Sequence, residues 1–264
     1  MKRIGDKTIW ITGASSGIGK ALAYELSKLG CFLVVSARNE EQLLILKNKC
    51  PHPDRVHVLP LDLADYKGME EKVQHAISTA GQIDILINNA GISQRSLILD
   101  TDIEVYKKLV DINYLGTVAL TKAILPQFIK QRNGHFVTVT SLMGKFGSPY
   151  RSGYCGAKHA LHGFFDVLRM EHEQDGIQVT LICPGFVNTK VAINALTGTG
   201  QKQMSNDTAT ENGLDPTIFA KKMIKAISQQ KFEAYIGKKE VMGVYLKRFL
   251  PRLLHKVVLK SKVR

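Results

Sequence analysis

From Thr8 onward, short apolar and β-branched runs alternate with longer stretches whose apolar residues recur every three or four positions. Thr8–Ile11, Cys31–Ser36, Val56–Pro60, Ile83–Asn88, Phe136–Thr140 and Gln178–Cys183 predict strands. Helical periodicity covers about Gly17–Leu29, a segment opening at Asn39, Tyr66–Ala80, Ile103–Gln131 and Tyr154–Gln174. The Asn39 side chain suits a helix cap, and Gln42 three residues on completes a capping-box pattern. Apolar runs such as FLVV and IDILI suit strands covered on both faces, hence a parallel sheet. Strands alternating with helices through right-handed crossovers give a doubly wound α/β domain. The sequence shows no internal repeat and no interdomain linker, so residues 1–236 read as one domain. Two segments break the rhythm. Residues 190–215 are rich in Gly, Thr, Ser and Asn, and a loop that long marks a lid or disorder. Residues 237–264 are a basic tail.

Composition adds exclusions. With 264 residues, 44% apolar and 22% charged, the chain is an ordinary globular protein rather than a disordered one. Four cysteines, Cys31, Cys50, Cys155 and Cys183, lie far apart without metal-like spacing, which excludes a disulfide scaffold. No window approaches the roughly 18 apolar residues that span a bilayer. The start MKRIGDKTIW is basic with no apolar run behind it, so no secretory signal is expected and the cytoplasm is the expected compartment. Of the net charge of +13, the tail supplies most, with nine Lys/Arg against Glu240. In that tail, Met242, Leu246, Phe249, Leu250, Leu253, Leu254, Val257 and Val258 recur at helical spacing, with Lys247, Arg248, Arg252, Lys256 and Lys260 between them. Pro251 starts a second helix or kinks the first. Such a basic amphipathic segment suits peripheral attachment to an anionic membrane surface through 238–264, or packing on protein. Nucleic acid is not expected, because few aromatics interleave the charges.

The candidate chemistry begins at Thr12-Gly13-Ala14-Ser15-Ser16-Gly17-Ile18-Gly19, between the first strand and the first helix. Glycines there permit a tight turn and close backbone approach to a pyrophosphate at the positive end of a helix. NAD-selective sites usually place an acid about 20 residues beyond such a turn. Here the second strand ends Ser36-Ala37-Arg38, and a guanidinium pairs bidentately with a 2′-phosphate, so NADP is the expected cofactor. Tyr154 and Lys158 stand four apart on a helix and share a face. A neighbouring ammonium and a positive nicotinamide both favour the phenolate, pulling its pKa toward neutrality. Ser141, just after the fifth strand, is placed to orient a carbonyl or alcohol.

Together these residues resemble the classical short-chain dehydrogenase/reductase family. The resemblance covers about residues 5–190 and includes Thr12–Gly19, Asp62-Leu63, Asn88-Asn89-Ala90-Gly91, Asn113, Ser141, Tyr154-Cys155-Gly156-Ala157-Lys158 and Pro184-Gly185. Pro149–Glu171 further resembles the branch containing 11β-hydroxysteroid dehydrogenases. Cys155-Gly156 departs from the commoner Ser-Ala, and a thiol beside the catalytic hydroxyl is open to oxidation. The resemblance implies a single Rossmann-type domain of three layers, α/β/α, with about seven strands. It makes Tyr154 the general acid in reduction and Lys158 the group that lowers its pKa and binds the nicotinamide ribose. Ser141 would bond the reacting oxygen, and Asn113 would hold a water linking Lys158 to solvent.

For the cofactor, the same resemblance enlists Gly13, Ser15, Ser16, Gly17, Ile18 and Gly19 at the phosphates, and Arg38, Asp62 and Leu63 at the adenosine end. Asn89, Ala90 and Gly91 would line it, and Pro184, Gly185, Val187 and Thr189 would meet the nicotinamide. Asn88 reads as a strand-end residue or a direct cofactor contact. His159 and His162 read as structural, turned off the Tyr154 face. Catalysis then calls for no metal, and no His/Cys/Asp cluster with ligand spacing appears. Gln94, Met143, Phe146, Ser148, Tyr150, Phe186 and the 190–215 loop are candidate pocket residues, mostly apolar, which points to a lipophilic ketone or alcohol. The resulting expectation is an NADP-dependent carbonyl reductase, dimeric or tetrameric. A 3-oxoacyl-carrier-protein reductase and a non-catalytic NADP-sensing protein stand as alternatives.

Overall fold

The computed structural model describes residues 4–261. Seven strands form one fully parallel sheet: β1 (Thr8–Thr12), β2 (Phe32–Ser36), β3 (Val56–Val58), β4 (Ile85–Asn88), β5 (Gly134–Val139), β6 (Ile177–Pro184) and β7 (Glu233–Ile236). Their order, β3-β2-β1-β4-β5-β6-β7, reverses direction between β1 and β4. Ligand crevices in such sheets open at the carboxyl ends of the strands flanking that reversal. Successive side chains point to opposite faces, and the core divides accordingly. Ile9 and Ile11, with Leu33, Val35 and Val137, pack under α1 (Gly17–Lys28), α2 (Glu40–Lys49) and α8 (Pro216–Ser228). Trp10, Val34, Leu86 and Phe136 pack under α3 (Met69–Ala80), α5 (Gly116–Gln131) and α6 (Ser152–Glu171). Each fully buried side chain of this size contributes about 1.5–3 kcal/mol. The result is the single-domain, three-layer Rossmann-type fold.

Where elements differ from the pattern-based reading, local chemistry explains it. β3 stops short of Pro60, although the Leu59 N–H still donates to Val35; proline has no N–H to continue the ladder. The turn before α3 is held by Asp65, whose carboxylate accepts the Gly68 N–H at 3.3 Å, so the helix starts at Met69 rather than Tyr66. The Asn39 cap forms as expected, its carboxamide oxygen accepting the Gln42 N–H at 3.0 Å.

The predicted helix over Ile103–Gln131 is α4 (Ile103–Val110), a π turn (Asp111–Leu115) and α5. Period alone does not reveal that insertion. It coincides with two demands, Asn113 bonded to the main chain of Ile92 and Gly116 passing the Leu63 carbonyl. A Cβ on Gly116 would stand 2.2 Å from that oxygen.

Residues 190–215 are tied to the body by main-chain hydrogen bonds. Leu196 exchanges main-chain bonds with Ser93 and Arg95, Asp102 donates to Gly198, and Leu214 bonds Phe186 and Asn188. They include the short helix α7 (Thr208–Glu211). The tail forms α9 (Met242–Phe249) and α10 (Pro251–Lys260), Pro251 opening the second helix. Leu254 and Val244 pack with Leu142, Phe146 and Cys183, so the tail leans on the segment that follows Ser141.

Candidate active site

The loops after β1 and β4 meet at the reversal point. Gly13 has φ +67°, and a Cβ there would lie 2.8 Å from Ala90 Cα. A Cβ on Gly19 would lie 2.3 Å from the Gly13 oxygen, and one on Gly17 (φ +53°) 3.2 Å from a Thr189 methyl. Only glycine permits this closeness. Ser16 is the extended N-cap of α1 and makes no side-chain cap bond, leaving the helix's first N–H groups facing the turn. Ser15 and Ile18 complete it, Ile18 resting on the core beneath. These cradles fit a dinucleotide's phosphates.

Thr12, whose hydroxyl the sequence reading passed over, ties the two loops. Its Oγ1 accepts the N–H groups of Asn89 and Ala90 at 3.0 and 3.1 Å. Asn89 Nδ2 donates to the carbonyls of Thr12 and Gly13, so its side chain braces the cleft. Asn88 is buried at the strand end and donates to Thr121. Gly91 completes this wall: a Cβ on it would meet Asn113 Oδ1 at 2.8 Å and Lys158 Nζ at 3.5 Å.

Tyr154 and Lys158 lie one turn apart on α6, with Nζ 5.8 Å from the tyrosine ring centre. Lys158 is buried and donates to the Val139 carbonyl at 2.8 Å; burial pushes its pKa down to about 8. Burial pushes the half-buried Tyr154 phenol above its ordinary value, while a hydrogen bond with Ser141 and the charges of Arg95 and Arg151 pull it down. The leading influence on Tyr154 is therefore desolvation rather than the expected pull from Lys158. Ser141 Oγ accepts the Met143 N–H at 3.1 Å, which leaves its own proton to donate. Asn113 is fully buried, and its carboxamide is paired both ways with the Ile92 main chain, at 2.8 and 2.9 Å. That clamp holds the π turn against the loop beside Lys158.

The glycine cradle, Asn113 and Lys158 meet around the 89–91 loop, and the chain matches known proteins over that whole region. The short chain dehydrogenase family model matches residues 7–230. The chain belongs to the short-chain dehydrogenase family. It is 42% identical to human dehydrogenase/reductase SDR family member 7 over 253 residues, covering 93% of this chain and 75% of that protein. It is 39% identical to an Anopheles gambiae SDR family protein 7-like, covering 99% of this chain and 84% of that one. Among solved structures, a Burkholderia phymatum short chain dehydrogenase/reductase in complex with NAD aligns with TM-score 0.85 and 22% identity, covering 96% of each chain. A Streptomyces avermitilis short-chain dehydrogenase aligns with TM-score 0.81 and 25% identity, covering 98% of each chain.

In this short-chain dehydrogenase, Arg38 and Asp62 line one groove of about 460 Å³ with Lys107, Lys108 and Asp111. Arg38 is exposed there, whereas Ser36 is buried and takes the Trp10 indole N–H at 2.8 Å. The Leu63 side chain packs in the core, and its carbonyl lies against Gly116. Pro184 and Val187 are buried, and Gly185 lies against Glu240, which would be 2.1 Å from an added Cβ. Glu240 accepts the N–H groups of Phe186 and Lys238 at 3.1 and 3.0 Å. The one acid in a basic tail thus pins the 184–189 segment, and its charge contrast was a usable signal.

Several pocket candidates prove to be framework. Gln94 is fully buried; its Oε1 accepts the N–H groups of Gly153 and Tyr154 at 2.8 and 3.4 Å. Phe146 and Met143 pack with the tail, and Phe146 would be 2.6 Å from a Cβ on Gly243. Ser148 accepts from Arg151, and Tyr150, at φ +68°, offers its main-chain oxygen to the Ser96 N–H. Phe186 remains half-buried.

The loop is fastened by Asp207, which takes two bonds from buried Arg95 at 3.2 and 2.7 Å and faces Arg151 at 3.6 Å. None of these three carried a local sequence signal.

His162 is buried. It is one turn beyond Lys158, and its Nε2 and the Lys158 carbonyl flank the same point beside Gly144. Four residues advance a helix by little more than one turn, which keeps His162 on the lysine's side. His159 is exposed, its Nδ1 at 2.8 Å from the Cys155 carbonyl.

Proposed function

We propose that this chain is an NADP-dependent carbonyl reductase acting on lipophilic ketones or aldehydes. The observation that carries the reading is the convergence of Ser141, Tyr154 and Lys158 beside a cradle that only glycines permit. A bound reduced nicotinamide supplies the hydride. Tyr154 gives its phenolic proton to the substrate oxygen, which the Ser141 hydroxyl orients. Lys158 offsets the charge left on the phenolate and binds the ribose. Arg38, exposed at the end of β2 in the Asp62 groove, supports NADP over NAD by pairing with a 2′-phosphate. Glycines 13, 17 and 19 and the α1 N-terminus hold the phosphates.

The test is Tyr154→Phe with a panel of lipophilic ketones and carrier-bound oxoacyl substrates. Turnover should fall by at least about a hundredfold while NADPH still binds; equal activity in the variant would refute the proton-donor role. Preference for the carrier-bound substrates would favour the oxoacyl reductase instead.

The reading extends to the tail. No helix among the described residues is long and apolar enough to cross a membrane. Yet α9 and α10 leave Phe249, Leu253, Val257 and Leu259 exposed beside Lys247, Arg248, Arg252, Lys256 and Lys260. That arrangement suits an anionic membrane surface. Removing residues 251–264 should abolish flotation with anionic liposomes and leave recovery with neutral ones unchanged.

A further inference from the structure

One turn beyond Lys158, three potential metal ligands converge that the reductase reading does not use. His162 comes from α6, Cys183 from β6 and Glu233 from β7, with one ligand atom of each within 4.8 Å of the others. Cys183 Sγ lies 3.4 Å from Glu233 Oε1 and 3.9 Å from His162 Nε2. His162 Nδ1 lies 3.3 Å from the same carboxylate oxygen, misaligned for a hydrogen bond, and has no partner among the described residues. His162 is only 7% exposed and Cys183 not at all. A buried imidazole nitrogen left without a hydrogen-bond partner carries an uncompensated desolvation penalty, so its place beside a thiol and a carboxylate calls for an occupant.

Nitrogen, sulfur and oxygen ligands around tetrahedral zinc stand about 3.3–3.7 Å apart, given bond lengths near 2.0–2.3 Å. The Cys183–Glu233 and His162–Glu233 separations match that scale, and the 3.9 Å from Cys183 Sγ to His162 Nε2 is slightly wider. We propose that His162, Cys183 and Glu233 form a zinc-binding site with an open fourth position. Thiolate and imidazole together select zinc over magnesium or calcium.

Binding requires two exchanges. The Cys183 thiol releases its proton to solvent as the Zn–S bond forms. Lys145, whose ammonium sits 2.6 Å from Glu233 Oε1, gives up that oxygen; its side chain is 26% exposed and can extend into water. Zinc with one thiolate and one carboxylate is then electrically neutral. Tyr235 donates to Glu233 Oε2 at 2.6 Å, and Thr140 Oγ1 lies 3.2 Å from Cys183 Sγ; both remain as supports that orient the ligands. The ion would tie edge strand β7 to the helix that carries Tyr154.

The site is tested on the full chain after chelator treatment, with cobalt(II) as the spectroscopic probe and zinc as competitor. One equivalent of cobalt should give a thiolate-to-metal charge-transfer band, bleached by one equivalent of zinc. Cys183→Ser should lose the band, and Cys50→Ser should keep it. His162→Gln, which preserves bulk, should weaken zinc affinity at least about tenfold, since even outer-shell losses cost that much. Lys145→Gln should tighten binding by removing the competing ammonium. No band in the parent chain, or an equal band in Cys183→Ser, overturns the site. Affinity unchanged or weakened in Lys145→Gln places the metal off the Glu233 oxygen and overturns the ligand set.

Discussion

At the scale of single residues, the proposed role of Lys158 ties activity to its charge. Its burial holds the ammonium down to about 8, with the Val139 carbonyl as its hydrogen-bond partner. The pH dependence of kcat/KM reports groups of the free enzyme. Reductive kcat/KM should therefore fall as pH rises through about 8, where the lysine loses its charge. Tyr154 does not offset this, because burial raises its pKa and keeps the phenol protonated over that range. A profile flat from neutrality to well above this value would remove Lys158 from its role. The Tyr154–Lys158 spacing was legible because one helical turn is a local property. Arg95 and Asp207 were not, because their contact joins residues 112 positions apart, and no periodicity encodes such a meeting. Gln94 was misread for a related reason. A polar residue after a strand looks like a pocket group until its partners, Gly153 and Tyr154, are seen to come from another element.

At the scale of elements, that glutamine caps α6 from outside it. The first N–H groups of a helix have no internal acceptor, and Arg151, the N-cap residue of α6, makes no side-chain cap bond. Gln94 Oε1 supplies the acceptor, while its Nε2 donates to Ser96 and Thr101 at 3.1 and 3.3 Å. Gln94→Leu should cost about 2 kcal/mol, the upper range for losing a cap. Since the bond fixes the main chain of Tyr154 itself, kcat should fall while NADPH affinity holds. Denaturant melts and steady-state kinetics on the same variant separate the two effects. A stability loss without a kcat loss would make Gln94 a cap and nothing more. Strand and helix identity was readable from apolar period, down to the Asn39 cap. The π turn was not, because its extra residue answers to the Ile92 main chain, a contact made across space.

At the scale of the whole molecule, the alternation of strands and helices carried the fold: continuous apolar strands required cover on both faces, and the two core clusters supply it. The final strand and the docking of the tail were less legible, since β7 is a short edge strand, only partly buried before Ile236. Mid-sheet burial also gives global stability a pH dependence. His135 on β5 is held against Thr180 Oγ1 at 2.8 Å, and burial pushes its pKa down to about 4 from an ordinary 6.5. Between those values the unfolded chain binds a proton that the folded chain refuses, so stability rises with pH across this window. Acidification from about 6.5 to 4 should therefore remove on the order of 3 kcal/mol through this one group. His135→Gln keeps a hydrogen-bonding side chain against Thr180 but has nothing to protonate. Urea midpoints measured across that window should fall less steeply for the variant than for the parent. Parallel slopes would show that the imidazole is charged inside the fold, and the sheet would then have to contain an acceptor for its second proton.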